Sequence, residues 1–193
     1  EIGSGLVGSE MCIRDSYKTA ETIIERFFRP CEHVPNRILL LGDQMGPEGQ
    51  YVTEVKRLLS LLGLEVQGQF PGYLPFSEWA NAPAAELAIV LGTTGQSDRM
   101  NGMADLLEKK FGIHAVKDMY PIGWENTCKW ILEIGRLHKN VEKAKVIIEE
   151  EKKRIDSYVN SILHITKGKK AVIGIGRGTH WYNPSDTISA LRQ

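Results

Sequence analysis

The feature that most restricts the fold is an alternation. Short, continuous apolar runs are separated by longer stretches whose apolar residues recur every three or four positions. The runs are RILLLG (Arg37–Gly42), LEVQGQF (Leu64–Phe70), ELAIVLG (Glu86–Gly92) and IHAVKDM (Ile113–Met119). Runs of this length, closed by glycine or turn residues, read as strands buried on both faces. Between them, GQYVTEVKRLLSLLG places Val52, Val55, Leu58, Leu59 and Leu62 on one helical face, with Gly63 as the stop. TAETIIERFF reads as a helix ended by Arg29-Pro30, PFSEWANAP as a short helix, and RMNGMADLLEKKFG and WENTCKWILEIGRL as two more. Strands joined through helices pair in parallel, so the pattern predicts an α/β fold: a parallel sheet covered on both faces, three layers deep. Ligands of such sheets sit beyond the carboxyl ends of the strands. That places Gly42–Gly49, Gly92–Ser97, Met119–Gly123 and the loop after the last strand near any site.

A long helix is expected from about Asn140 to Ile165. Val141, Ala144, Ile148, Ile155, Tyr158 or Val159, Ile162 and Ile165 keep one period, and EEEKKR lies on the other face as a solvated, ion-paired surface. At ~1.5 Å per residue it spans roughly 39 Å, longer than a sheet-covering helix needs, and so reads as a strut between two lobes. GKKAVIGIG then begins a new strand, followed by a loop and a helix capped at Asn183-Pro184-Ser185-Asp186. The expected organisation is therefore a domain over 17–139, the linking helix over 140–168 and the beginning of a second domain over 169–193.

Residues 1–16 stand apart. Gly3-Ser4-Gly5-Leu6-Val7-Gly8 fits the G-x-G-x-x-G pattern, but only Glu1 and Ile2 precede it and no helical period follows. A dinucleotide-binding turn needs both a strand before and a helix after. LVGSEMCIRDS instead resembles one reading frame of a transposon-type sequencing adapter, so 1–16 is expected to be a non-native segment, with the natural chain starting near Tyr17 and cut at both ends.

Lys and Arg number 24, as do Asp and Glu, which leaves no electrostatic footprint for a nucleic acid. No apolar run approaches the roughly 20 residues of a membrane span. Cys31 and Cys128 are isolated, which suits reduced thiols in the cytoplasm, and two such residues cannot by themselves hold an iron–sulfur cluster. His33, His114, His138 and His164 show no metal-ligand spacing. Asp43 and Glu48 share a loop without defining an acid–base pair.

The strongest chemical candidate is AVIGIGRGTHWYNPSD. A strand opens into Gly174, Gly176, Arg177 and Gly178, passes His180 and reaches a capped helix. Glycines let a bound group approach the backbone, a helix N-terminus favours anions, and arginine offers a planar five-donor cation. The same residues also suit a plain strand–loop–helix turn with a surface arginine. No G-K-[ST] follows, so it is not a Walker loop.

The order of these blocks, most tellingly LEKKFGI, YPIG…T (Tyr120–Gly123, Thr127) and GKKAVIGIGR, resembles the nitrogenase component 1 family over nearly all of residues 17–193. The resemblance implies Rossmann-like domains, of which this chain would hold a middle one and the start of the last. It implies an iron–sulfur or molybdenum–iron-type cluster, or a tetrapyrrole, in the full-length complex. It implies a homologous sister subunit in a hetero-oligomer and an ATP-dependent iron–sulfur reductase as electron donor. By position it places Gly174, Gly176, Arg177 and His180 against the cofactor. The family's catalytic α-type subunit carries a cluster-ligating cysteine after the third strand of its middle domain. Here that loop reads Leu91-Gly92-Thr93-Thr94-Gly95-Gln96-Ser97. Neither Thr nor Gln replaces a thiolate on iron. The resemblance thus leaves three readings: a reductase subunit inactive as this fragment, a non-catalytic scaffold for cofactor assembly, or an α/β binding protein of the metal-receptor kind.

Overall fold

The computed structural model describes residues 17–42, 46–91 and 97–170. Helix α1 occupies 17–27 of that range. It is followed by β1 (Val34–Leu41), α2 (Gln50–Leu62), β2 (Glu65–Phe70), a 3-10 helix (Phe76–Ala84), β3 (Ala85–Val90), α3 (Ser97–Phe111), β4 (His114–Val116), α4 (Trp124–Leu137) and α5 (Val141–Thr166). The four strands form one sheet in the order β2-β1-β3-β4, and every neighbouring pair is parallel. The α/β class and the parallel sheet expected from the apolar runs are what the chain adopts.

Period-two alternation along the strands divides the interior into two cores. Ile38 and Leu40 of β1 and Leu87 and Ile89 of β3 face α2, α4 and α5. Leu39 and Leu41, with Ala88 and Val90, face α1, α3 and the 3-10 helix. This is why RILLL and ELAIV show no polar alternation: both sides of the sheet are covered.

α2 buries the expected stripe of Val52, Val55, Leu58, Leu59 and Leu62. It ends at Gly63 (φ 88°), where the Gly63 N–H donates to Ser60 O and the Leu64 N–H to Leu59 O, both at 2.9 Å. That is the paired closure of a Schellman motif, which needs the left-handed backbone that glycine adopts without strain.

Three elements differ from their sequence patterns. PFSEWANAP forms a 3-10 helix, with Pro83 inside it lacking the N–H an α-helix would need. IHAVKDM shortens to His114–Val116, because Asp118 turns to φ 56°. EEEKKR is not a wholly solvated face: Glu151 is buried.

α5 is continuous over 26 residues, and the second lobe that it was expected to link lies outside the described residues. Its first half belongs to the core through Ala144 and Ile147. α4 and α5 cross closely at Gly135, where an added Cβ would lie 2.6 Å from the Ala144 Cβ. Glu151 then clamps α5 to α2. Arg57 donates to both its oxygens (2.9 and 2.7 Å), and Arg154 adds two bonds to Oε2 (2.9 and 2.7 Å). Glu54 holds Arg57 from the other side at 2.8 and 2.7 Å.

Candidate functional site

The sheet order fixes where a ligand can enter. The chain leaves β1 toward α2 on one face and leaves the adjacent β3 toward α3 on the other. The connections therefore diverge beyond the carboxyl ends of β1 and β3, which opens a crevice there.

Gly42 lies at this point with φ 127°, and a Cβ on it would meet the Leu91 carbonyl oxygen at 2.8 Å. No other residue fits, so β1 and β3 approach closely at the floor of the crevice. Gln69, at the carboxyl end of β2, is buried and donates from Nε2 to the Gly42 carbonyl at 2.8 Å. Its Oε1 is buried and has no partner among the described residues. The turn after Gly42 is stapled to α2 by Lys56 Nζ donating to Pro47 O at 2.8 Å and by the Thr53 N–H donating to Gly49 O at 2.8 Å. Gly46 packs against the ring of Tyr73.

YPIG…T acts as the mount of α4. Gly123 (φ 76°) caps the helix, and Thr127 donates to its carbonyl oxygen from the backbone N–H (3.0 Å) and from Oγ1 (2.8 Å). Asn101, in the first turns of α3, donates to Asp118 at 2.8 Å and ties α3 to the loop after β4. Thus α2, α3 and α4 all begin at this edge, and neither α2 nor α4 has a side-chain cap. Helix N-termini carry partial positive charge and free N–H groups, so the edge favours an anionic group.

Cluster ligation is a separate requirement, and the described residues do not meet it. No three His, Cys, Asp or Glu among them come together as a metal site. Cys31 lies before β1, at the opposite edge. Cys128 sits on α4, half-buried, and burial pushes its thiol pKa up, which disfavours the thiolate that iron needs. His33, His114 and His138 also collect at the amino edge, where they contact Phe111 O (3.0 Å), Glu108 (3.2 Å) and Glu86 (3.3 Å). His164 is exposed on α5.

Gly174, Gly176, Arg177 and His180 lie outside the described residues, as do Asp43 and the loop 92–96. Sequence reasoning located the crevice loops but passed over Gln69. The available signal was a lone amide side chain closing an otherwise apolar strand end.

The family model for nitrogenase component 1 type oxidoreductase matches residues 15–182. The chain belongs to that family. Among curated proteins, the nitrogenase iron-molybdenum cofactor biosynthesis protein NifE of Clostridium pasteurianum is 34% identical over 125 residues, covering 63% of this chain and 26% of that protein. Two solved structures of nitrogenase Cp1, at pH 6.5 and pH 5, superpose with a TM-score of 0.63 at 21% identity. The matches cover 80% of this chain and 29% and 31% of those chains. At that identity the likeness establishes the component 1 domain fold. The chain spans about a quarter of the length of the curated relative. Among the described residues, no helix of this family member is long and apolar enough to cross a membrane.

Proposed function

We propose that the protein carrying this chain is a nitrogenase component 1-type subunit that cradles an anionic cofactor beyond the carboxyl edge of the sheet. The cofactor class is an iron–sulfur or molybdenum–iron-type cluster, or a tetrapyrrole. The observation that carries the proposal is that α2, α3 and α4 begin at the carboxyl edge of the sheet, where β1 and β3 approach closely at Gly42 and Leu91. In this reading the chain after α5 supplies the opposing wall. Gly174 and Gly176 would allow close backbone approach, and Arg177 and His180 would donate hydrogen bonds to the cofactor's anionic atoms. The domain contributes orientation and charge, and ligating atoms come from elsewhere in the assembled protein. A homologous sister subunit and an ATP-dependent iron–sulfur reductase complete the low-potential reduction that the family description suggests.

A second reading is favoured by the curated relative and by the thiol-free loop 92–96. A scaffold for cofactor assembly must release its cargo, so a cradle without a thiolate suits transfer better than retention through turnover. The test is anaerobic purification of the full-length protein with its sister subunit, followed by iron determination, visible absorption and an ATP-dependent reduction assay. Bound cofactor with turnover supports the reductase. Bound cluster that passes to an acceptor protein without turnover supports the scaffold. Arg177→Ala should lower cofactor content severalfold with the circular dichroism spectrum unchanged, and wild-type cofactor content in that variant refutes the cradle.

A further inference from the structure

Gln69 stands at the end of β2 with only 2% of its surface exposed. Its Nε2 donates to the Gly42 carbonyl at 2.8 Å, and its Oε1 is buried and accepts nothing among the described residues. Hydrogen-bond accounting gives this amide no role in stability. A buried acceptor left without a donor is costly. With Gln69 in place the orphan is its own Oε1. With an apolar side chain in place the orphan would be the carbonyl of Gly42, itself buried. The balance of unpaired acceptors is the same either way, and the apolar side chain would add favourable burial. Unpaired buried polar groups of this kind are tolerated where function needs them.

What the amide controls is direction. The Gly42 N–H donates to Phe70 O at 2.8 Å, and the Leu91 N–H donates to Leu41 O at 2.7 Å, so the backbone is fixed as far as Gly42. The next peptide group carries the Gly42 carbonyl, and Gln69 holds it. A glycine backbone turns at little steric cost, so this group has need of a latch. The strand order is β2-β1-β3-β4. A carbonyl bonded to β2 therefore points away from β3, and away from the crevice between β1 and β3.

We propose that Gln69 is a positioning residue for an anionic cofactor, holding the Gly42 carbonyl oxygen turned out of the crevice. Rotated toward β3, that oxygen would set its partial negative charge against the anion that the helix N-termini favour. This role rests on the anionic-cofactor reading of the carboxyl edge.

The test replaces Gln69 by Met, which is similar in length and cannot donate. In the 193-residue chain, Gln69→Met should melt within about 3 °C of wild type, because one unpaired acceptor replaces another. In the full-length protein, purified anaerobically with its sister subunit, the same variant should retain severalfold less iron, or severalfold less pigment by visible absorption. A merely structural amide would lower the Tm and leave retention by the folded protein alone. Cofactor content equal to wild type overturns the role of Gln69 and leaves the cradle standing. A Tm more than about 3 °C below wild type, or a variant that does not fold, also overturns it, because the amide is then structural. A wild-type protein that holds neither iron nor pigment overturns the cradle itself, and this role with it.

Discussion

Replacing Glu151 tests how α5 is anchored. The carboxylate takes four charge-assisted hydrogen bonds, two from Arg57 on α2 and two from Arg154 one turn along its own helix. Its side chain is only 9% exposed, while Arg57 is 35% and Arg154 60% exposed. Breaking a fully buried pair costs about 3–5 kcal/mol, and an exposed pair is worth about 0.2–1 kcal/mol. Here one partner is buried and the other can turn to water while keeping Glu54, so the expected loss for Glu151→Ala is about 2 kcal/mol. For a chain of this length that lowers Tm by roughly 4–8 °C. In a double-mutant cycle with Arg57→Ala, the coupling should be about 1–2 kcal/mol. Glu142→Gln, at a side chain 85% exposed and paired with Lys145, is the control and should change stability by less than about 0.5 kcal/mol.

The pH dependence has a fixed sign. Hydrogen bonds from Arg57, opposed in part by burial and helped by Arg154, hold the Glu151 carboxyl below the usual carboxylate range. A depressed folded-state value means that its contribution is complete above the unfolded value of about 4.3 and is lost as pH falls through the lower folded one. Wild type should therefore lose more stability than Glu151→Gln between roughly pH 5 and pH 3. The measurement is calorimetric Tm across that interval. A Glu151→Gln variant melting within about 1 °C of wild type at neutral pH, or parallel pH profiles for the two, would refute the clamp.

Other perturbations probe the close contacts. Gly135→Ala puts a methyl 2.6 Å from the Ala144 Cβ and should cost about 1–3 kcal/mol, read by urea unfolding with the slope unchanged. Gly42→Ala meets the Leu91 carbonyl at 2.8 Å in a left-handed backbone, so thermal melts should show a loss of at least about 1 kcal/mol. Thr127→Val removes the hydroxyl bond to Gly123 O and should lower stability by about 1 kcal/mol while leaving helical circular dichroism intact. Deleting residues 1–16 should leave the Tm of the remainder unchanged, and a drop would show that this segment packs.

What the sequence discloses here follows locality. The α2 stripe and its Gly63 stop are encoded within fifteen consecutive residues, so periodicity and one left-handed glycine suffice to read them. The alternating runs similarly fix a parallel sheet, and the sheet fixes which loops share an edge. Glu151 was misread because its burial depends on Arg57, a partner 94 residues away that α2 brings across. The period running through Ile148 and Ile155 already places the third acid, and not the second, on the apolar face, but only the register of α5 against α2 supplies the arginine that lets it be buried there. Gln69 was passed over for a related reason: its amide matters because β1 ends beside it at Gly42. The 3-10 geometry of PFSEWANAP was nearer to hand, since Pro83 within the segment already argued against a regular α-helix.

Charge arithmetic separates what this domain can do for a cofactor from what it cannot. Each helix N-terminus contributes about 0.3–1 kcal/mol toward a nearby unit negative charge, and up to about 2 kcal/mol in partly buried geometry. Three of them at one edge give a preference of roughly 1–6 kcal/mol, about one to four powers of ten in affinity. Ligation by protein atoms operates on another scale, about 10–16 kcal/mol for a closed structural metal site. Under the proposed function the edge would orient and select an anionic group, and the ligating atoms would be supplied from beyond the described residues. Two consequences follow that ordinary ligation would not produce. Retention attributable to this edge should weaken with added salt, because screened dipoles supply it. It should also depend on the negative charge of the cofactor more than on its metal.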